Sequence, residues 1–271
     1  MQSSSWRGFL IPGGEEWIVS RRYLSVLAVA LLSLVSIILS TFSAAANTSE
    51  ASSCGAIKAM NPSAVDGDYT IFVGGAEIPV YCSNMAENPW EYLPLARTGA
   101  GHNFSQYTAG GASPGTDVVT HYTKLRFDPH PVSFSPLTFR VNIADQKFAT
   151  STGQLCHSSG GACPEGSQVT AMPYAVAMDC RGAGSATGRA NLDLSGTPFE
   201  VVDTFTLQTF HGAGSATYQN PHVVDLAGGG YCGWIAPAMT YNPINQNPLQ
   251  DANGGYDLQL KLPFSLPFSR P

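Results

Sequence analysis

The sequence predicts a mainly β fold, a disulfide-stapled antiparallel sandwich or barrel-like domain that follows an N-terminal signal peptide. Three observations support this prediction. The chain contains 28 glycines and 19 prolines, and short segments rich in β-branched and aromatic residues lie between them, as in strands joined by turns. Several segments alternate apolar and polar residues, the period of a half-buried strand. All six cysteines lie beyond residue 50, and an even number of cysteines in an exported chain indicates disulfides.

The first 46 residues have the layout of an export signal. Arg21 and Arg22 precede an apolar run at residues 23–39, and the small residues Ala44, Ala45 and Ala46 follow it. This order is typical of a cleaved secretory signal peptide, so we expect the chain to be secreted or to stay in the cell envelope. An uncleaved anchor is the alternative, because the run lies at the short end of what spans a bilayer core of about 30 Å. Only in that case is a membrane an expected partner.

The predicted domain spans residues 54–262, between a polar linker at 47–53 and a tail at 263–271. Strands at 69–73 and 77–81 around Gly74-Gly75 predict a hairpin that ends at Cys82. Residues 118–127 alternate throughout and predict one strand, with Val119 and Phe127 on the same face. Further strands are predicted at 137–143, 174–178, 189–194, 199–204 and 256–262. Long loops are predicted at 102–117, 150–172 and 236–254, in a fold of roughly nine to twelve strands.

The charge distribution argues against one class of partner. Charged residues make up 12% of the chain and the formal net charge is −6, whereas charged residues average about 25%. Lysines and arginines occur mostly singly after the leader, so they form no basic stripe that would meet a phosphate backbone. Nucleic acid is therefore not an expected partner.

The cysteines are predicted to be structural. Cys156 and Cys163 bracket a short loop and are expected to pair with each other. The alternative is a zinc site built from Cys156, His157 and Cys163. No C-x-x-C or H-x₃₋₅-H pair completes four ligands, so we expect a disulfide and no metal.

The search for catalytic motifs finds none. The helical zinc motif H-E-x-x-H and the nucleophile elbow G-x-S-x-G are both absent from the sequence, so we expect no catalytic residue. Asp66 and Asp68 are typical of a turn that opens the first strand, with a calcium-binding turn as the alternative. Asp179, beside Cys180, is expected to be a buried, hydrogen-bonded turn residue. Paired carboxylates would suffice for glycoside hydrolysis, but sequence spacing does not show which of them face each other.

Two further features concern recognition. Trp90, Tyr92, Phe104 and Tyr107 are candidates for a platform that stacks on sugars or peptides, and core packing is the alternative for all four. Asn47 and Asn103 each begin an acceptor sequence for N-glycosylation, which is relevant only in a host that glycosylates secreted chains.

Several motifs carry a family resemblance in one fixed order. The most specific ones fall within about forty residues: Cys54, Asn61-Pro62, Asp66-Gly67-Asp68-Tyr69, Val80-Tyr81-Cys82 and Glu91-Tyr92-Leu93. Later matches are Asn103-Phe104-Ser105, Met178-Asp179-Cys180, Asn191-Leu192, and Gly230-Tyr231-Cys232-Gly233. Together they resemble the GON domain, an ancillary C-terminal module of ADAMTS-type secreted metalloproteases that also occurs in bacterial proteins. The resemblance covers roughly residues 54–262.

The resemblance carries its own expectations. Animal members have more cysteines, and Cys156 and Cys163 fall in an apparent insertion, which strengthens their mutual pairing. The family set is then Cys54, Cys82, Cys180 and Cys232, for which three pairings exist and Cys54–Cys82 with Cys180–Cys232 is favoured. The catalytic zinc domain of the animal proteins is a separate module, so zinc and metalloendopeptidase activity attach to this chain only by family association. We expect no cofactor.

These observations favour a non-catalytic secreted or surface module that binds an extracellular protein or glycan. Two alternatives stay open at this point. One is a hydrolase, either metalloendopeptidase-associated or a carboxylate-based glycoside hydrolase. The other is an envelope protein with a mostly structural role.

Overall fold

The computed structural model describes residues 51–110, 115–157, 168–182, 184–202, 205–208, 214–230, 233–237 and 257–263. The predicted leader, Cys163, Cys232 and almost all of the predicted 236–254 loop lie outside the described residues. All described residues belong to one unit, which spans residues 48–271. Among them, no helix is long and apolar enough to cross a membrane.

The described residues form one helix and eighteen strands, which confirms the predicted β class. In chain order these are α1 (Cys54–Met60), β1 (Gly67–Val73), β2 (Ala76–Ser83), β3 (Trp90–Pro94), β4 (Phe104–Thr108), β5 (Val118–Tyr122), β6 (Lys124–Phe134), β7 (Leu137–Asn142), β8 (Ala149–Thr152), β9 (Leu155–Cys156), β10 (Gln168–Val169), β11 (Ala177–Asp179), β12 (Gly188–Asp193), β13 (Glu200–Val201), β14 (Phe205–Gln208), β15 (Ser215–Asn220), β16 (Val223–Gly228), β17 (Gly233–Pro237) and β18 (Asp257–Lys261).

Two large sheets carry most of these strands. Sheet I has the order β1-β2-β3-β6-β7-β18-β13, and sheet II has the order β14-β17-β11-β4-β12-β16-β15, with β5 and β8 joined beside β4. The pairs are antiparallel except for β11 with β4, which run parallel. Strands β9 and β10 form a separate small ladder. Buried apolar side chains from both large sheets form one continuous core, as in a sandwich.

The aromatic centre of this core joins the strands of sheet I to the segment before β13. Phe127 on β6 and Phe139 on β7 lie with ring centroids 5.4 Å apart, and Phe199 contacts both at 5.2 and 5.7 Å. Such tilted and edge-to-face contacts are the favoured geometry of aromatic pairs. They fix the inner face of β6 and β7, so the outer face of the same strands is held rigid as well.

The first hairpin forms as predicted. Val73 pairs with Ala76 across a two-residue turn, and Gly74 and Gly75 have φ values of 61° and 85°. Both values fall in the left-handed region that a two-residue hairpin turn requires and that glycine adopts without steric cost. The second strand extends one residue beyond Cys82, to Ser83.

The prediction of one strand at 118–127 was wrong. Residues 118–122 form β5 in sheet II, whereas residues 124–134 form β6 in sheet I, and the chain changes sheets at Thr123. The backbone N–H of Thr123 donates to the carbonyl of Phe148 at 3.0 Å, and its own carbonyl accepts from Leu95. Burial therefore shifts phase here: Thr120 and Tyr122 are buried before the break, and Leu125 and Phe127 after it.

Two predicted loops also contain strands. The 102–117 segment holds β4, whose Ser105 and Tyr107 are fully buried in the middle of sheet II. The 150–172 segment contains most of β8 and all of β9 and β10. The glycine, serine and asparagine of these segments predict loops. In β4, however, burial of Ser105 and Tyr107 stabilises the strand despite the low β propensity of the surrounding segment. Strand β11 begins only at Ala177, later than the predicted 174.

The ordered domain includes the last residues of the predicted linker. Ala51 is buried, and its carbonyl accepts a hydrogen bond from the Phe72 N–H at 2.8 Å. The Ser53 side chain caps α1 by accepting from the Ala56 N–H at 3.0 Å, which satisfies one free donor of the first helical turn. The linker therefore cannot extend through residues 51–53.

Candidate functional site

Helix α1 is fixed against sheet I by three links. Cys54 forms a disulfide with Cys82 on β2, with a Cα–Cα distance of 5.6 Å. The Cys54 N–H donates to Oε1 of Glu91 on β3 at 2.6 Å, and Ile57 is buried in the core. Burial raises the pKa of Glu91, against the opposing effect of the Cys54 hydrogen bond. The start of the helix thus forms a stable wall beside β3.

Strands β3, β6 and β7 form the floor beside that wall. Tyr92 pairs with Arg126, and Asp128 pairs with Arg140. Side chains two residues apart on a strand share a face, so Arg126 and Asp128 project on the same side of β6. The β6–β7 register shifts after Asp128, and such an irregularity re-aims the side chains that follow.

A cavity of about 530 Å³ lies over this floor, and we call it the polar cavity. The side chains that give it chemical character are Trp90, Glu91, Arg126, Asp128, His130 and Arg140. Ser53 and Gly55, at the start of α1, complete its wall. This volume lies within the usual range for ligand pockets, roughly 300–1,000 Å³.

Arg126 and Trp90 form a stacked pair in the polar cavity. The guanidinium carbon of Arg126 lies 3.5 Å from the centre of the Trp90 ring, a close cation–π contact. Trp90 is 42% exposed, and the Arg126 side chain is 28% exposed. Stacking restricts the guanidinium, so its N–H groups are presented in a defined direction.

The N–H donors of Arg126 have no hydrogen-bond partner within the described part of the chain. Its charged neighbour is Asp145, with Nη1 and Oδ2 3.6 Å apart, which is beyond hydrogen-bond distance. The Asp145 carboxylate instead accepts two other hydrogen bonds. The Tyr92 hydroxyl donates to its Oδ2 at 3.1 Å, and the Lys147 N–H donates to its Oδ1 at 3.0 Å. Arg126 therefore keeps donors available for a ligand.

An apolar groove of about 450 Å³ adjoins the polar cavity. Both spaces are lined by Pro129 and His130, where they meet. Phe72, Phe134 and Leu137 are among the apolar residues that line the groove. Phe134 is 75% exposed and Phe72 is 37% exposed, which is unusual for large apolar side chains and marks surfaces that contact other molecules.

Asp66 and Asp179 are both hydrogen-bonded structural residues. Asp66 lies directly before β1, whereas Asp179 is the last residue of β11 and not a turn residue, contrary to the prediction. Asp66 accepts from the N–H groups of Met85 at 2.7 Å and Asn84 at 3.0 Å, and these bonds lower its pKa. Asp179 is fully buried and accepts from Arg181 N–H at 2.7 Å and from both donors of Thr187. Asp68 is exposed on β1. None of the three lines the polar cavity or the apolar groove.

The four aromatic candidates do not form one platform. Tyr92 and Tyr107 are buried, Tyr92 against Phe148 with ring centroids 4.7 Å apart. Phe104 lies on sheet II, tilted against His121 at 5.9 Å. Only Trp90, of the four, is exposed at the candidate site. Core packing, the alternative left open by the sequence, therefore accounts for Tyr92 and Tyr107.

A cluster of a buried tyrosine, a buried cysteine and a half-buried histidine lies elsewhere, in and beside sheet II. The Tyr107 hydroxyl is 2.5 Å from Nδ1 of His157 and 2.7 Å from the Cys180 sulfur. Burial raises the pKa of Tyr107 and lowers that of His157, so the protonated phenol donates to the neutral imidazole. Cys156 and Cys180 are disulfide-bonded. Their predicted partners, Cys163 and Cys232, lie outside the described residues. A sulfur held in a disulfide is not a nucleophilic thiolate.

His102 and Asp193 form a pair that resembles half of a catalytic triad. Nδ1 of His102 lies 3.0 Å from Oδ2 of the buried Asp193. Within the described ranges, no hydroxyl or thiol is placed against the other ring nitrogen to act as a nucleophile, as a triad requires. The pair instead ties the start of β4 to the end of β12.

The donor groups do not fit a zinc site. The described histidines are each engaged separately: His102 with Asp193, His121 against Phe104, His130 with Asp128, His157 with Tyr107, and His222 with the Phe199 carbonyl. No three His, Cys, Asp or Glu residues of the described ranges are grouped so as to hold a metal ion. A structural or catalytic zinc needs three or four such ligands.

The sequence pointed to Trp90, and to Asp128 only as one of several carboxylates, and Arg126, His130 and Arg140 were missed. A usable signal was present, because Lys124, Arg126, Asp128 and His130 occupy every second position of one segment. In a chain with only 12% charged residues, such a run indicates one charged face of a strand. The prediction of a single strand ending at 127 separated these residues and hid the pattern.

Comparison with known proteins gives a consistent result. Residues 51–112 match the family model described as the GON domain. The chain is also similar to a mouse (Mus musculus) protein named A disintegrin and metalloproteinase with thrombospondin motifs 20, with 26% identity over 203 residues. This match covers 69% of the chain and 10% of the mouse protein, so the chain spans about a tenth of that relative. No solved structure matches the chain.

Proposed function

We propose that this chain, which contains a GON domain, is a non-catalytic binding module. It acts outside the cell, free or at the cell envelope, and holds an extracellular protein or glycan partner in the polar cavity. The observation that carries the proposal is the Arg126–Trp90 pair, which presents unsatisfied donors in a cavity of ligand size. Recognition sites of this kind combine a rigid scaffold with a few well-placed polar groups.

The scaffold around the cavity supports a binding role. The Cys54–Cys82 disulfide and the Glu91 hydrogen bond hold α1 in place. The packed rings of Phe127, Phe139 and Phe199 support β6 and β7 on the side that faces the core. A preorganised surface loses little conformational entropy when a partner binds. Disulfides persist in oxidising compartments, which agrees with an extracellular location and with the export signal predicted at residues 1–46.

Two groups of side chains resemble parts of an active site, but their surroundings favour a non-catalytic role. In the described ranges, Tyr107 and Cys180 are buried beside the half-buried His157, and the Cys180 sulfur is held in a disulfide. Among the residues that the structure describes, no hydroxyl or thiol is hydrogen-bonded to the His102 ring. The mouse relative is named a metalloproteinase, but the chain covers only a tenth of its length, so peptidase activity does not transfer with the similarity.

A carboxylate-based glycoside hydrolase is the second candidate, because Glu91 and Asp128 line the same cavity. Burial raises the pKa of Glu91, as for a general acid. However, Oε1 of Glu91 accepts from Cys54 at 2.6 Å, and Oδ1 of Asp128 accepts from the His130 N–H at 2.9 Å. Both carboxylates thus have structural partners, so we rank hydrolysis below binding.

A paired assay tests the proposed function. The purified chain is screened on arrays of extracellular proteins and glycans, and in parallel it is incubated with casein and with aryl glycosides, with and without added zinc. We expect specific binding to at least one array component and no turnover. Turnover of a glycoside that Glu91→Gln abolishes would replace the binding role with the hydrolase. Zinc-dependent cleavage of casein would replace it with the peptidase.

A further inference from the structure

We propose that the polar cavity and the apolar groove together bind one extended acidic peptide segment of a partner protein. A carboxylate of the peptide pairs with Arg126, and a neighbouring aromatic or aliphatic side chain packs in the groove beside Phe134. This inference rests on the proposed binding role and names the chemistry of its ligand. The cavity and the groove meet at Pro129 and His130, so one chain can occupy both.

The contacts of Arg126 are the reason for assigning a carboxylate to the ligand. Its guanidinium is stacked on Trp90 at 3.5 Å and makes no hydrogen bond within the described ranges. A planar guanidinium held by an aromatic ring matches the two oxygens of a carboxylate. Asp145, at 3.6 Å, keeps Arg126 in place without using its donors.

The surrounding charges limit how much negative charge the ligand carries. Glu91 and Asp128 line the same cavity as Arg126 and Arg140, and the formal net charge of the chain is −6. A single carboxylate meets one arginine, whereas a highly sulfated chain would also meet these two acidic side chains. Like charges brought together in an interface oppose binding. The local field therefore favours a mildly acidic ligand over a polyanion.

The aromatic groups favour a peptide over a sugar. Sugar sites use open aromatic faces, but Arg126 covers one face of Trp90, and Tyr92 and Tyr107 are buried. Two exposed phenylalanines instead line the groove, Phe134 at 75% and Phe72 at 37% exposure. Apolar side chains of a peptide gain free energy by covering such a surface, in proportion to the apolar area buried.

The test uses the purified chain and a defined set of peptides. The probes are fluorescein-labelled ten-residue peptides with one Glu, followed one to five residues later by Phe-Leu, in an otherwise Gly/Ser sequence. Matched peptides carry Gln in place of Glu, or Ser-Ser in place of Phe-Leu. Binding is measured by fluorescence anisotropy. The chain variants are Arg126→Met, Phe134→Ser and, as the matched control, Lys124→Met.

We expect a Glu-Phe-Leu peptide to bind, and Arg126→Met or the Gln peptide to weaken it about 10- to 100-fold, as for loss of a charged hydrogen-bonded pair. Arg126→Met tested with the Gln peptide should bind little more weakly than either change alone, because both changes remove the same contact. Phe134→Ser should weaken only peptides that contain Phe-Leu. Lys124→Met should have no effect, since Lys124 lies on the same strand but contacts Tyr81 and Phe148.

Other outcomes overturn the inference and are distinguishable. Peptide binding that Arg126→Met leaves unchanged would show that the carboxylate site is wrong. Tighter binding of a sulfated heparin tetrasaccharide, lost in Arg126→Met, would assign the cavity to an acidic glycan and keep the binding role. If no peptide binds while an array partner still does, this inference fails and the proposed function stands. If array partners fail too, both fail.

Discussion

Asn103 is fully buried at the start of β4 and has a left-handed backbone, with φ at 49°. Its amide nitrogen donates to the carbonyls of Arg97 and Asp193, at 2.7 and 2.8 Å. Its oxygen accepts from the Tyr174 hydroxyl at 2.6 Å and the Asp193 N–H at 2.9 Å. The Asn-Phe-Ser acceptor sequence for N-glycosylation is therefore inaccessible in the folded domain.

We expect Asn103→Ala to lower the free energy of unfolding by about 2–4 kcal/mol, because several buried partners lose their bonds at once. Urea unfolding monitored by tryptophan fluorescence measures the change. The matched control is Asn84→Ala, since Asn84 also has a positive φ, at 60°, but its side chain makes only an exposed bond to Asn88. Equal effects of the two substitutions would contradict the role given to Asn103.

Asp179 makes stability depend on pH in the acid range. Burial raises its pKa, but the hydrogen bonds from Arg181 and Thr187 outweigh this and hold the pKa below its ordinary value of 3.8. A carboxyl with a lowered pKa stabilises the fold fully above its unfolded value, and this stabilisation is lost as pH falls through the folded value. The loss therefore lies below about pH 4.

We expect Asp179→Asn to destabilise the fold by about 1–3 kcal/mol at neutral pH, because an amide cannot accept from all three donors that face it. Unfolding in urea from pH 7 to pH 2.5 measures this. The difference between the wild type and the variant should shrink below pH 4, as the wild-type carboxyl takes up its proton. A difference that stays constant with pH would contradict the assignment.

At the scale of elements, α1 depends on its links to sheet I. The helix has seven residues, too few to be stable alone in water. Its cap, Ser53, and its disulfide to Cys82 contribute separately. The disulfide closes a loop with a sequence separation of 28 residues, and such a loop restricts the unfolded chain considerably.

We expect the double substitution Cys54→Ala with Cys82→Ala to lower the free energy of unfolding by roughly 3–4 kcal/mol, from the chain entropy of that loop. Ser53→Ala, which removes only the cap, should cost about 1 kcal/mol. Urea titrations of both variants and the wild type make the comparison. A double variant no less stable than Ser53→Ala would show that the disulfide does not hold the helix.

Strands and turns were predicted accurately where the residues that determine them are adjacent in the sequence. The hairpin at Gly74-Gly75 was predictable because its turn chemistry lies in two adjacent residues. The break at Thr123 was not, since alternation continues through it and the change of sheets depends on contacts with Phe148 and Leu95, which are distant in sequence. Strand β4 was missed because Ser105 and Gln106 have no β-forming pattern of their own and are held by neighbouring strands on both sides.

At the scale of the whole molecule, the β class and the GON resemblance were predictable from the sequence, whereas the Cys54–Cys82 disulfide was the favoured one of three possible pairings. The polar cavity was not predictable, because it forms where α1, β3, β6 and β7 meet, and only the fold brings Trp90 beside Arg126. The hydrogen bonds expected of Asp179 form with Arg181 and Thr187, which lie within eight residues of it. Asp66 instead binds Asn84 and Met85, which lie 18 and 19 residues away and could not be identified from the sequence. The described residues form a rigid β scaffold, on whose surface the polar cavity and the apolar groove together form a two-part cleft.

Hydrogen–deuterium exchange of the chain, free and bound to a partner found in the array screen, tests the central claim that this cleft binds the partner. Exchange reports protection segment by segment along the backbone. We expect partner-dependent protection at residues 89–91, 126–134 and 137–142, and none at the distant strand β15. Protection centred on β15 and β16 of sheet II, with residues 126–142 unchanged, would contradict the claim.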